Sequence, residues 1–145
     1  MTLVDGEVAG AREFDFAALR ALPEQVADVA QLIPGRRGGA VRLRALLDAA
    51  GARREAAWAT LRSSDGFAIA VPLAAVQGAL VTYRLGEAPL PVEQGGPVRF
   101  LVPGADQCGT PDVDACANVK KLARVTLTVE RDESAKHDHP ASRTL

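Results

Sequence analysis

Short runs in which apolar and polar residues alternate recur along the chain, and each is bounded by turn residues. Such alternation is typical of a β-strand with one buried face. The runs predicted as strands are TLVDGEVAG, QVADVAQLI, AAWATLRS, FAIAV, ALVTYRL, VRFLV and ARVTLTVE. Asp65-Gly66 lies between AAWATLRS and FAIAV, and this dipeptide predicts that the two runs form a hairpin.

Helical periodicity is confined to a few short stretches. FAALRAL follows Asp15, a favourable helix cap, and Pro23 ends it. The stretch VRLRALLDAAG is the clearest helix, closed by Gly51. Its apolar positions fall on one helical face: Val41, Leu43, Leu46, Leu47 and Ala50. Seven or so short strands with few helices, in no alternating order of strand and helix, predict an α+β fold that is mainly β.

The length and net charge of the chain exclude some classes of protein function. A chain of 145 residues predicts one domain, here residues 1–130, followed by a polar, flexible tail at 131–145. The net charge of −1 gives no basic footprint, so no nucleic-acid partner is expected. No apolar run reaches the roughly 18 residues that a membrane span needs. The first residues show no export signal, and a cytoplasmic location is expected.

The segment CGTPDVDAC carries candidate chemistry of several kinds. Cys108 and Cys116 either form a disulfide or remain free thiols, and the residues leave both alternatives open. Their spacing is not that of a zinc knuckle, so a zinc site completed by His137 and His139 is not expected. The acidic residues of this region match no calcium-binding loop: Asp106, Asp112 and Asp114.

Arginines mark two turn-rich stretches. In GGPVRFLVPG, Arg99 stands at the start of a predicted strand. It is either an edge charge that pairs with Glu93 or a nearby aspartate, or a guanidinium directed at an anion. Arg36 and Arg37 lie in the loop PGRRGG, which is either a solvated surface loop or part of an anion-attracting cleft.

Four stretches in a fixed order carry a resemblance to a known family. They are SSDGFAIAVPL, YRLGEAPLP, GGPVRFLVPG and NVKKLARVTL. Together they resemble the molybdopterin-binding domain of the sulfite oxidase family of oxidoreductases, over residues 4–129. The resemblance implies the mainly β fold of that domain and molybdopterin as its cofactor.

The resemblance also implies roles for five residues. Arg99 and Lys120 correspond to family residues that hold the pterin and its terminal phosphate, with Asn118 and Val119 lining the same turn. Ser64 lies near the position of a further polar contact to the pterin. A forked guanidinium and an ammonium suit a phosphate group.

One family feature has no counterpart in this chain. The family ligates molybdenum through a cysteine before the main helix, whereas this stretch reads ADVAQLIPGRRGG, with Gln31, Leu32 and Ile33 in the neighbourhood. These side chains do not replace a thiolate. We therefore expect a degenerate member without molybdenum redox chemistry and with no cofactor bound. A partial anion or pterin cleft would remain for an anionic small molecule or a partner protein.

Two other functions are retained as alternatives. The chain is an active molybdopterin-dependent oxidoreductase if a partner chain completes its site. It is a cofactor-free interaction module if neither an anion nor a pterin binds.

Overall fold

Two sheets make up most of the fold. The computed structural model describes residues 2–33, 35–102 and 119–131. Within them the strands are, in chain order, β1 (Thr2–Gly6), β2 (Arg12–Phe14), β3 (Gln25–Val26), β4 (Gly39–Arg42), β5 (Trp58–Ser63), β6 (Ala68–Pro72), β7 (Leu80–Leu85), β8 (Ala88–Pro89), β9 (Arg99–Leu101) and β10 (Leu122–Thr128). The α+β, mainly β prediction is confirmed.

Strand order defines a first and a second sheet. The first sheet runs β2-β1-β10-β5-β6, with β1 and β10 parallel and the other pairs antiparallel. The second sheet runs β3-β4-β7-β8, and β9 also pairs with β7. The predicted hairpin is confirmed as β5–β6, with Gly66 at φ +100° in its turn. The β1–β10 pair joins residues far apart in sequence, so the first sheet is complete only when both ends of the domain are in place.

In the described part of the chain, the α-helices are α1 (Phe16–Arg20) and α2 (Leu43–Ala50). The Ala18 amide donates to Asp15 Oδ1 (2.8 Å), which confirms the predicted cap. Gly51 closes α2 at φ +76°, a conformation that favours glycine. Short 3₁₀ helices lie at Val29–Gln31, Leu73–Val76 and Val92–Gln94.

Two predicted elements are wrong in extent. Val41 is not helical: it pairs with Val81 in β4, because Arg42 keeps an extended backbone (φ −66°, ψ 141°) before α2 begins. In QVADVAQLI, only the first two residues form a strand. Asp28 then accepts a hydrogen bond from the Ala30 amide (3.0 Å) and starts a 3₁₀ turn.

The second sheet is buried on both faces. One face joins the first sheet and α2 in the main core, which includes Val81, Phe100 and Leu46. The other face forms a smaller core with the 3₁₀ helix at Val29–Gln31, and here Leu80 and Leu101 are buried. Side chains alternate between these two faces along β7 and β9, as the period of a strand requires.

A charged cluster ties β1 to β10 on the first sheet. Asp5, whose side chain is 17% exposed, accepts hydrogen bonds from Arg124 Nε (3.1 Å) and from the Thr126 hydroxyl (2.7 Å). Burial raises the pKa of Asp5, but these hydrogen bonds and the positive charge of Arg124 outweigh it, so the pKa lies below its usual 3.8. Asp5 therefore stabilises the folded chain above that pH.

We expect Asp5→Asn to lower the free energy of unfolding by about 1 kcal/mol at neutral pH, because the charge-assisted hydrogen bonds are weakened. The contribution of Asp5 is lost as pH falls through its lowered folded pKa, so the difference between wild type and variant should be smaller well below pH 3.8 than at neutral pH. Urea unfolding followed by circular dichroism at both pH values measures this. An equal difference at neutral and acidic pH would contradict the assignment.

Among residues 2–33, 35–102 and 119–131, no helix is long and apolar enough to cross a membrane.

Candidate functional site

The register of β7 against β9 places two polar side chains together. Thr82 is the direct partner of Arg99, and Leu80 is the partner of Leu101. Because side chains two residues apart share a face, Thr82 and Arg99 lie on the face that carries the smaller core. A polar patch therefore begins where this apolar cluster ends.

The turn before β9 brings a second cation close to Arg99. Gly95 has φ +90°, and its carbonyl oxygen accepts from the Lys121 amide (2.8 Å). A Cβ atom on Gly95 would lie 2.9 Å from Arg99 Cδ and 3.1 Å from Lys120 Cγ. The aliphatic stems of Arg99 and Lys120 thus flank the same glycine, and a side chain there would push them aside.

The loop after the Val29–Gln31 turn supplies two more guanidiniums. The Arg36 amide donates to the Ile33 carbonyl (3.1 Å), and the Val29 amide donates to the Gly38 carbonyl (2.9 Å). Gly38 has φ +114°, and a Cβ there would lie 2.5 Å from the Arg84 carbonyl oxygen. The loop is therefore held directly against β7.

These elements enclose a cavity of about 280 Å³. Its wall combines backbone and side chains from the loop, from β7, from the β8–β9 connection and from β9. The lining residues are Gly35, Arg36, Arg37, Thr82, Leu90, Glu93, Gln94, Arg99 and Leu101. We call this space the arginine cavity.

Positive charge dominates the arginine cavity. Three arginines and one glutamate are among its lining residues, and Lys120 lies beside Arg99 across Gly95. Arg99 Nη1 also donates to the Gln94 carbonyl (3.3 Å), which orients the guanidinium. A concave surface with a surplus of one sign of charge concentrates ions of the other sign. The arrangement is suited to binding an anion.

Sequence reasoning missed three of the polar lining groups in this role. Thr82 and Gln94 carried no signal, because their place depends on strand pairing and on the turn before β9. The sequence predicts Glu93 only as a salt-bridge partner of Arg99, and in the structure Glu93 lines the same cavity. The joint placement of Arg36, Arg37 and Arg99 agrees with the cleft interpretation of the two loops.

The β5–β6 turn forms a separate polar corner. The Ser63 hydroxyl donates to Asp65 Oδ1, and this hydrogen bond is the main cause that lowers the pKa of Asp65, assisted by the charge of Lys121. Ser64 donates its amide to the Lys121 carbonyl (2.9 Å). Asp65 thus acts as a turn residue, as its Gly66 neighbour indicates.

Comparison with known protein families identifies the family of the chain. The model of the oxidoreductase molybdopterin-binding domain matches residues 38–136, which are 99 of the 145 residues. The chain belongs to this family. The match includes α2, both arms of the hairpin, Arg99 and Lys120.

A solved structure extends the likeness of fold to nearly the whole chain. The crystal structure of the sulfane dehydrogenase SoxCD from Paracoccus pantotrophus superimposes with a TM-score of 0.67 over 91% of this chain, at 19% identity. The fold expected of a molybdopterin-binding domain is confirmed. The chain spans 39% of the SoxCD chain that it matches. No curated protein matches the sequence.

The residues carried over from the molybdopterin-binding family lie in different surroundings. Arg99 lines the arginine cavity, and Lys120 is adjacent to it but not part of its lining. Val119 is 2% exposed, and its carbonyl accepts from the Phe100 amide (2.8 Å), so its side chain belongs to the main core. Ser64 is exposed and contacts Lys121 through its backbone.

Several candidates lie outside the described residues. One is Asn118, the fifth residue that the resemblance carried over. The others are Cys108, Cys116, His137, His139, Asp106, Asp112 and Asp114. In the part of the chain that the structure describes, no group of three or more His, Cys, Asp or Glu side chains is arranged to hold a metal ion.

Proposed function

We propose that this chain binds a phosphorylated, pterin-type anion in the arginine cavity and contributes no thiolate to molybdenum. One observation carries the proposal. Arg36 and Arg37, from a loop before β4, and Arg99, from the start of β9, line one cavity although more than 60 residues separate them in sequence.

The donor set fits the anionic part of such a ligand. Guanidiniums bind phosphate oxygens through two parallel N–H groups, and an ammonium adds charge without a fixed geometry. Arg99 and Lys120 would hold the phosphate, and Arg36 and Arg37 would neutralise the rest of the charge. Molybdopterin, when bound, would supply the metal-dithiolene redox chemistry of the family.

The size of the cavity limits what it encloses. Pockets that enclose drug-sized ligands have volumes of about 300–1,000 Å³, and the arginine cavity is just below this range at about 280 Å³. It would therefore surround the phosphate end of a ligand, and the heterocycle would extend beyond it. The Glu93 carboxylate, in the lining, can accept N–H groups.

The proposed lack of a thiolate ligand rests on the sequence of the segment before α2. The sequence contains two cysteines, Cys108 and Cys116, and neither is in the segment before α2 where the family ligand is expected. Gln31, Leu32 and Ile33 offer no soft anionic donor there. These residues support a degenerate member that retains anion binding.

Family membership favours a second function. As a member of the molybdopterin-binding family, the chain would be an active oxidoreductase if a partner chain provided the missing metal ligand. Such an enzyme would transfer an oxygen atom or electrons, and its molybdenum would be lost when the partner is removed.

Metal analysis separates these two functions when the chain is purified under conditions that keep any partner chain bound. We expect untagged protein from cells supplied with molybdate to contain far less than one equivalent of molybdenum by inductively coupled plasma mass spectrometry. The same sample should bind inorganic phosphate in isothermal titration calorimetry. Near-stoichiometric molybdenum would contradict the degenerate function, and no heat of phosphate binding would contradict the anion site.

A further inference from the structure

Thr82 is the most unusual polar residue of the arginine cavity. Its side chain is 1% exposed, and among the described residues its Oγ1 atom has no hydrogen-bond partner. A buried hydroxyl without a partner destabilises the folded chain, because the hydrogen bonds it makes with water are lost on folding. Such a group in a cavity wall points to a ligand that satisfies it.

Packing against the neighbouring loop accounts for only one branch of the Thr82 side chain. A Cβ atom on Gly38 would lie 3.2 Å from Thr82 Cγ2, so the methyl group of Thr82 packs against the loop backbone at Gly38. Across the ladder, Arg99 is the register partner of Thr82 on β9. The hydroxyl is the other branch of the same Cβ atom, and it belongs to a residue that lines the cavity beside Arg99.

The combination of a hydroxyl and several guanidiniums suits one class of anion. A carboxylate has two oxygens, and one guanidinium fork engages both. A phosphate or sulfate group has additional oxygens in other directions, and an O–H group can donate to one of these. In the positive field of the cavity, the hydroxyl of Thr82 would present its proton to the anion.

We propose that the Thr82 hydroxyl is a specificity-determining donor that selects a tetrahedral oxoanion over a carboxylate in the arginine cavity. The proposal rests on the anion-binding function proposed above and adds to it the class of the bound group. The group is either a free oxoanion or the terminal group of an ester, and both share the chemistry that Thr82 recognises.

Thr60 provides a matched control. Its side chain, on β5, is 0% exposed, and its Oγ1 atom also has no hydrogen-bond partner among the described residues. It does not line the arginine cavity. Thr82→Val and Thr60→Val therefore make the same chemical change in two buried strands, and only one of them affects the cavity.

The test compares Thr82→Val, Thr82→Ser and Thr60→Val by isothermal titration calorimetry at constant ionic strength. The probes are inorganic sulfate, inorganic phosphate, phenyl phosphate and acetate. We expect Thr82→Val to weaken binding of the tetrahedral anions about tenfold or more and to leave acetate affinity unchanged. Thr82→Ser keeps the hydroxyl and should bind like wild type, as should Thr60→Val. A larger affinity for phenyl phosphate than for phosphate would identify an ester as the preferred source.

Thermal unfolding without added anion shows independently whether the Thr82→Val variant is folded. Removal of an unsatisfied hydroxyl should leave the melting temperature of Thr82→Val equal to or above that of wild type, so weaker binding cannot be attributed to unfolding. Unchanged sulfate and phosphate affinity in Thr82→Val, or an equal loss of acetate affinity, would overturn the proposal. If Arg99→Ala abolishes binding while Thr82→Val does not, only this inference fails; if Arg99→Ala binds normally, the proposed function fails.

Discussion

Replacement of Arg99 with alanine is expected to weaken the binding of inorganic phosphate by about 10-fold to 100-fold. Arg99 lines the arginine cavity, and its guanidinium is oriented by the Gln94 carbonyl. The substitution removes the positive charge that attracts phosphate and the two parallel N–H groups that can bind two of its oxygens. Isothermal titration calorimetry of wild type and variant gives the ratio of dissociation constants directly.

Two further variants make the Arg99 result specific. Arg99→Lys keeps the charge without the fork, so its affinity should fall between those of wild type and Arg99→Ala. Arg44→Ala is the matched control, because Arg44 pairs with Glu24 and does not line the cavity. Equal losses in Arg44→Ala and Arg99→Ala would mean that phosphate responds only to the net charge of the chain.

Replacement of Gly96 with alanine should destabilise the fold by about 3 kcal/mol or more. A Cβ atom at Gly96 would overlap the carbonyl oxygen of Leu90 and would lie 2.8 Å from that of Pro91. Both obstacles are backbone atoms, so relief requires movement of the β8–β9 connection itself. Urea unfolding followed by circular dichroism measures the change in free energy.

Gly10 is the control for Gly96. No atom beyond its chain neighbours lies within 4 Å of a Cβ built at Gly10, and the residue is exposed. Alanine there should leave stability unchanged or raise it slightly, because it restricts the unfolded chain. The steric explanation is wrong if Gly96→Ala unfolds at the same urea concentration as Gly10→Ala.

Strand positions could be predicted because alternation of apolar and polar residues is a local signal. AAWATLRS and FAIAV around Asp65-Gly66 are an example, and β5 and β6 form the expected hairpin. Val41 shows the limit of such signals. Its helical spacing with Leu43 and Leu46 is real, but pairing of β4 with β3 and β7 holds Val41 in a strand.

The candidate site was accessible to sequence reasoning only in part. Arg99 and Lys120 could be named because the family resemblance carries them, and Arg36 and Arg37 because the resemblance places the PGRRGG loop at the mouth of the family's active site. Thr82 could not be identified from the sequence as a residue of the site, because its role depends on which β9 residue is its register partner. That register is set by contacts across the second sheet and not by the neighbours of Thr82 in the sequence.

The two segments that carry Arg99 and Lys120 also join the two sheets. The Phe100 amide donates to the Val119 carbonyl (2.8 Å), and the Leu122 amide donates to the Val98 carbonyl (2.8 Å). These hydrogen bonds connect the β9 segment to the start of β10. An anion that bridges Arg99 and Lys120 would therefore clamp this junction, and its binding energy would oppose local opening. Hydrogen–deuterium exchange at the amides of Phe100, Lys121 and Leu122 should slow in proportion to phosphate occupancy. The exchange rates of these amides would then measure how much ligand is bound.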